Sequence, residues 1–150
     1  MYKVAIITAS DKGYAGERED KSGSVIEEIV TTHELEVTGK VILPDDRQIL
    51  SDQMLNYCHQ GIDLILTTGG TGFSKRDVTP EATADIVERR ADNLTFAMIA
   101  NSLQYTPKAM LSRGIAGIRE NTLIVNLPGS PKAVRENLEY AIDAIIHGVK

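Results

Sequence analysis

The chain has one cysteine, no tryptophan and no excess of basic residues in its 150 positions. Cys58 alone cannot close an internal disulfide, and a solitary thiol agrees with a reducing, cytoplasmic setting. Sixteen Lys and Arg face 21 Asp and Glu, a net charge of -5. With no basic run to release phosphate counterions, this balance argues against a nucleic-acid partner. The longest apolar stretches are strand-sized, far below the roughly 20 residues that cross a bilayer. The strand-like Tyr2 to Ile7 stands directly at the N-terminus. Neither membrane insertion nor export is therefore expected. His33, His59 and His147 have no paired metal-ligand spacing and fall near predicted helix ends. Ser112 has no His or Lys base near it in sequence, so a serine nucleophile is not supported.

What is present describes one globular domain over residues 1–150, with 42% hydrophobic and 25% charged residues. A chain of this size buries about 68–70% of its unfolded surface and needs no disulfide or structural metal to fold. Val4 to Ala9 is a β-branched apolar run followed by the long polar segment Ser10 to Ser22. Val25, Ile26, Ile29 and Val30 then predict a helix starting near Ser22 or Ser24. Val37 to Leu43 and Ile62 to Thr68 read as strands. Between them Ile49, Leu50, Met54 and Cys58 form a helical stripe ending at Gly61. Thr79 as N-cap with Pro80 opens a further helix, and Leu94 to Leu103 predicts another with Phe96, Ile99, Ala100 and Leu103 on one side. Thr106-Pro107 starts a short helical turn. Ile115 to Ile118 and Thr122 to Leu127 flank Glu120-Asn121 as a hairpin, and Ser130-Pro131 starts a C-terminal helix.

This alternation predicts a three-layer α/β/α sandwich with a mostly parallel mixed sheet and an antiparallel hairpin toward one edge. Loops leaving the carboxyl ends of parallel strands share one rim. Ser10-Asp11, Asp45-Asp46, Thr68 to Asp77 and Asn126 to Ser130 are thus expected to converge there. Thr67-Thr68-Gly69-Gly70-Thr71-Gly72 leaves its strand with three glycines in four positions, either a phosphate cradle or simply a tight strand-to-helix turn. It is neither a P-loop nor a dinucleotide fingerprint, because Lys75 follows Ser74 and stands where the third Gly of the latter would be. Asn126-Leu127-Pro128-Gly129-Ser130-Pro131 offers a second anion site at a helix start, or plain capping by Ser130. Asp45 and Asp77 are either turn residues or carboxylates that, with phosphate oxygens, hold Mg²⁺. Lys12, Lys75, Arg76, Arg113 and Lys132 could bring positive charge to the rim.

The run Thr67-Thr68-Gly69-Gly70-Thr71-Gly72-Phe73-Ser74-Lys75-Arg76-Asp77-Val78-Thr79-Pro80-Glu81-Ala82-Thr83 resembles the signature of molybdopterin adenylyltransferases, the MogA type also found as the G domain of gephyrin. Ser10-Asp11 with Gly16, Asp20, Ser22 and Gly23 looks like that family's N-terminal loop, and Pro44-Asp45 like its acidic turn. Met110-Leu111-Ser112-Arg113, Ala116-Gly117-Ile118-Arg119 and Asn126 to Val134 match later blocks. Close relatives of the MoaB type share the fold and the glycine cluster, and in some the segment at Arg76 to Pro80 is altered. The resemblance implies transfer of AMP from Mg·ATP to the terminal phosphate of molybdopterin, with release of pyrophosphate. It implies Asp45 and Asp77 as catalytic and Mg²⁺-organising residues and Gly69 to Gly72, with Thr68, along the phosphate path. Ser10, Asp11, Asp20, Ser22 and Gly23 would shape the adjoining pocket. Ser112 would position a substrate, and Asn126, Pro128, Gly129 and Ser130 would complete the anion-binding wall. It also implies a homotrimer, and a molybdenum insertase as recipient of the product; the alternative is a non-catalytic molybdopterin-binding or scaffolding module of the MoaB type.

Overall fold

The computed structural model describes residues 1–150. Its strands are β1 (Lys3–Ala9), β2 (Glu36–Leu43), β3 (Leu64–Thr68), β4 (Arg89–Arg90), β5 (Ala116–Arg119) and β6 (Thr122–Leu127). Its helices are α1 (Asp11–Tyr14), α2 (Lys21–Thr32), α3 (Arg47–His59), α4 (Thr79–Ala84), α5 (Asp92–Ser102) and α6 (Pro131–Val149), with a 3-10 turn over Pro107–Leu111. The six strands form one sheet in the order β2-β1-β3-β6-β5-β4. β2, β1, β3 and β6 run parallel, while β5 pairs antiparallel with both β6 and β4. The α/β/α sandwich with its antiparallel edge is therefore the observed architecture.

Strand alternation builds the two cores. Val4 and Ile6 point into a cluster with Ile26, Ile29 and Val30 of α2, Met98 of α5, and Val134, Leu138 and Ile142 of α6. Ala5, Ile7 and Ala9 point the other way, onto Leu50, Met54 and Cys58 of α3 and Ala82 of α4. Each fully buried Ile or Leu contributes about 1.5–3 kcal/mol relative to an exposed one, so the period of two in β1 is what holds helices on both faces. Successive strands go to opposite sides of β1: the chain first adds β2 at one edge and then crosses back to lay β3 on the other. A crevice opens at such a switch point, at the carboxyl ends of the strands.

Several expectations need correction. The predicted loop after β1 contains the single-turn α1, capped by Ser10, whose Oγ accepts from the Gly13 N–H at 2.9 Å. Helix α2 is capped by Asp20, ahead of the expected Ser22 or Ser24, because a carboxylate oxygen receives the Gly23 N–H at 2.9 Å. Thr79 does not cap α4: it lies inside the helix and its buried Oγ1 has no hydrogen-bond partner. In α3 the stripe is rotated, with Ile49 exposed and Tyr57 buried beside Leu50, Met54 and Cys58. Helix α5 begins two residues early, and Phe96, Ala100 and Leu103 face outward while Thr95, Met98 and Ser102 face the core. β4 has only two residues, too few to show a period.

Candidate active site

The rim loops do converge. A cleft of about 890 Å³ is lined by Ser10, Asp11, Asp20 and Ser22 from the first loop, Asp45 from the second, Thr68, Gly69, Gly70 and Asp77 from the third, and Gly129 and Ser130 from the last. A second cleft of about 490 Å³ takes in Thr71, Gly72, Ser112, Asn126 and Pro128. Gly70, Asp77, Gly129 and Ser130 line both. The partition between the clefts is thus the glycine bend and the corner before α6. Gly23 lines neither cleft; its part is the N–H that it gives to Asp20.

Backbone chemistry explains the bend. Gly69 and Gly70 have φ of +89° and +70°, a region that side chains disfavour. A Cβ at Gly69 would strike the Ala9 carbonyl, and one at Gly70 the Thr79 hydroxyl. Only glycine lets β1, the bend and α4 approach this closely. The Thr68 hydroxyl donates to the Pro128 carbonyl at 2.6 Å, and the Ser22 hydroxyl to the Gly129 carbonyl at 2.6 Å, so the last loop is tied to two others. Ser130 caps α6 by accepting the Ala133 N–H at 3.1 Å. The N–H groups of Gly70, Thr71, Gly72, Gly129 and Ser130 donate to no protein acceptor. Such free amides, beside the positive end of α6, suit an anion.

Asp11 and Asp45 bind each other's backbone. The Asp11 N–H donates to Asp45 Oδ2 at 3.0 Å, and the Asp45 N–H to Asp11 Oδ1 at 2.9 Å. Arg76 then forks onto Asp11 through Nε at 3.0 Å and Nη2 at 2.9 Å. That guanidinium, with the Asp45 N–H, holds the Asp11 carboxyl below the usual carboxylate range. Asp45 goes the opposite way: burial pushes its carboxyl up, with the nearby Asp11 and Asp77 charges adding to it against the Asp11 N–H. Its Oδ1 is buried without a partner, close to Gly70. Asp77 Oδ2 accepts the Ser74 N–H at 3.0 Å.

One expected ligand is spent inside the fold. The Asn126 amide donates to Thr67 Oγ1 and Thr83 Oγ1, each at 3.0 Å, and its carbonyl oxygen accepts the Ile115 N–H at 3.1 Å. Its side chain thus braces the floor of the second cleft instead of reaching an anion. Asp20 accepts the Thr8 hydroxyl at 2.9 Å as well as the Gly23 N–H. Ser112 Oγ accepts the Gly114 N–H at 3.2 Å, which leaves its proton free to donate into the cleft it lines. Arg113, expected to bring charge to the rim, lines neither cleft.

The sequence reading missed Arg18 and Lys21, which line the first cleft with Lys12 and Arg76. They sit among Glu17, Glu19 and Asp20, so the segment reads as a solvated run of mixed charge. It also missed Thr95, Met98, Ile99 and Ser102 of α5 and Glu136 and Asn137 of α6 in the second cleft, because Ile99 reads as packing, Glu136 as a solvated face, and the others carry no signal in the helical period.

The match to a family model described as "Probable molybdopterin binding domain" covers residues 5–147. The chain belongs to that family. Members similar to it include gephyrin of Dictyostelium discoideum, 42% identical over 97% of this chain, of whose own length the chain spans 22%. A molybdopterin adenylyltransferase of Helicobacter pylori strain J99 is 39% identical over 95% of this chain and 82% of the relative. Among solved structures, the molybdopterin biosynthesis enzyme MoaB of Thermus thermophilus superposes with a TM-score of 0.94 at 43% identity, covering 99% of this chain and 94% of that one.

Proposed function

We propose that the chain is a molybdopterin adenylyltransferase, a nucleotidyltransferase of molybdenum cofactor biosynthesis. It moves AMP from Mg·ATP to the terminal phosphate of molybdopterin and releases pyrophosphate. The observation that carries this reading is the pair of clefts meeting at Gly70, Asp77, Gly129 and Ser130. Two phosphorylated substrates entering from opposite sides bring their phosphates together at that partition. There an oxygen of the molybdopterin phosphate bonds to the α-phosphorus of ATP, and the bond from that phosphorus to the β-phosphate oxygen breaks. Attack of one anion on another needs alignment and charge neutralisation more than covalent help. The free amides of Gly70, Gly129 and Ser130 supply fixed dipoles there, and Lys12, Arg18, Lys21 and Arg76 line the larger cleft as cations among its carboxylates.

Mg²⁺ fits the residues present. The buried Asp45 Oδ1 lacks a partner and Asp77 presents a second hard oxygen donor, while no cluster of three or more His, Cys, Asp or Glu builds an all-protein cage. Mg²⁺ is usually held by one or two carboxylates plus substrate phosphates. Asp45 and Asp77 would hold it, and when bound it offsets phosphate charge. The rest falls to the chain: Asp11 aims Asp45, and the Ser74 N–H aims Asp77.

The test is to incubate the chain with Mg·ATP and molybdopterin and measure pyrophosphate; none, with pterin binding intact, defeats the reading. Asp77→Asn is expected to keep its fold and most pterin binding while turnover falls about 100-fold or more. Wild-type single-turnover rates in that variant would remove Asp77 from the mechanism.

The description of the matching family model names molybdopterin binding alone, which favours one second reading, a pterin-binding or scaffolding module that consumes no ATP. The pyrophosphate assay separates the two. We further place the chain in the cytoplasm as a homotrimer that hands its product to a molybdenum insertase; no helix is long and apolar enough to cross a membrane.

A further inference from the structure

We propose that Arg113 is a positioning residue that holds the wall between the two clefts and so aims Asp77 and the glycine bend at the transferring phosphate; this rests on the adenylyltransferase reading. Arg113 touches neither cleft, yet every donor it is seen to use goes to the segment from Thr71 to Glu81. Its backbone N–H donates to the Thr71 carbonyl at 2.9 Å. Its Nε donates to the Gly72 carbonyl at 2.8 Å, Nη2 to the Asp77 carbonyl at 2.7 Å, and Nη1 to Glu81 Oε2 at 2.6 Å. One residue therefore grips both ends of the loop that carries Asp77 and the first turn of α4 behind it.

The geometry does more than tether. A trans peptide directs its C=O and the following N–H to opposite sides, so carbonyls turned onto Arg113 send the next amides away from it. Those amides belong to Gly72, Phe73 and Val78, and none donates to a protein acceptor. Gly72 itself lines the second cleft. Glu81 completes the device: the guanidinium keeps its carboxyl below the usual carboxylate range, so the charge of Arg113 is balanced behind the wall while its fork fixes the carbonyls. Lysine cannot substitute, since a single ammonium presents no planar fork to three acceptors.

The test compares Arg113→Lys, Arg113→Ala and Glu81→Gln with the wild type, and uses Arg135→Met, whose ion pairs with Glu28 and Glu139 lie outside both clefts, as a control for loss of a surface pair. Hydrogen exchange of the Ser74, Asp77 and Thr79 amides, which are hydrogen-bonded within this segment, measured without substrate, is expected to quicken about tenfold in both Arg113 variants and not in Arg135→Met. In the pyrophosphate assay kcat is expected to fall about 100-fold in Arg113→Ala, with KM for ATP within about threefold of wild type. Free methylguanidinium should restore Arg113→Ala severalfold and leave Arg113→Lys unchanged. Unchanged exchange together with wild-type kcat would overturn the proposal. So would a kcat loss that merely tracks the unfolded fraction, or a rise in KM alone. Should Arg113→Ala not fold, Glu81→Gln decides: a lower kcat at wild-type Tm supports the role, and an unaltered kcat ends it. A wild type that releases no pyrophosphate defeats the adenylyltransferase reading, and the exchange measurement still judges whether Arg113 holds the wall.

Discussion

Two carboxylates on the same rim, Asp11 and Asp45, are driven in opposite directions by their surroundings. Arg76 and a backbone N–H stabilise charge on Asp11, whereas burial opposes it on Asp45. A carboxyl whose folded value is raised contributes stability below its unfolded value and loses it as pH rises through the folded one. Asp45→Asn is therefore expected to raise Tm at pH 7 to 8 while turnover falls, and the gain should disappear toward pH 3, where the wild-type carboxyl is also protonated. Thermal melts at the two pH extremes check this; a variant less stable at neutral pH would show that ionised Asp45 is compensated in the folded chain. Gly70→Ala tests the bend. Left-handed backbone costs a side chain about 1–2 kcal/mol, and the collision with Thr79 adds to it, so denaturant melts should show at least that loss. A neutral Gly70→Ala would mean that the bend relaxes freely.

The loop leading into α2 shows how one side chain can serve packing and pocket together. Asp20 caps the helix, receives the Thr8 hydroxyl from β1 and lines the larger cleft. Asp20→Ala is expected to cost about 1 kcal/mol, the ordinary value of an N-cap. In a chain of this size that is a fall in Tm of about 2–4 °C by calorimetry. An unchanged Tm would show the cap to be replaceable by Ser22 or Ser24. Spacing alone favoured those serines, because Asp20 lies among charged residues and only the fold shows which oxygen meets the Gly23 N–H. Helix α5 teaches the converse. Its apolar stripe was legible, but amphipathicity cannot say which face a neighbour covers, and here small polar Thr95 and Ser102 pack inward beside Met98.

For the whole molecule, the outward stripe of α5 and the adjoining 3-10 turn leave Phe96 72%, Tyr105 57%, Met110 64% and Leu111 48% exposed. Large apolar side chains gathered in one region usually mark a surface that is covered in the working assembly. If the chain assembles as the proposed trimer through this region, light scattering should give three times the mass of one chain. Phe96→Glu should shift the population to monomer with unchanged far-UV circular dichroism. A monodisperse wild-type monomer would count against the trimer.

From the amino-acid order alone came the alternation of strands and helices, the antiparallel edge, the glycine bend and the convergence of four loops. Each of these follows from short-range periods, backbone freedom and the rule that parallel strands end on one rim. Which polar groups remain free was beyond it. Asn126 looks like a ligand in sequence but is consumed by partners within the fold, while Arg18 and Lys21 look like solvated charge and line a cleft. Arg113 looked like a rim cation and instead braces the loop behind Asp77. Hydrogen-bond partners far apart in sequence are set by how the layers pack, and that packing decided the division of one rim into two clefts meeting at Asp77.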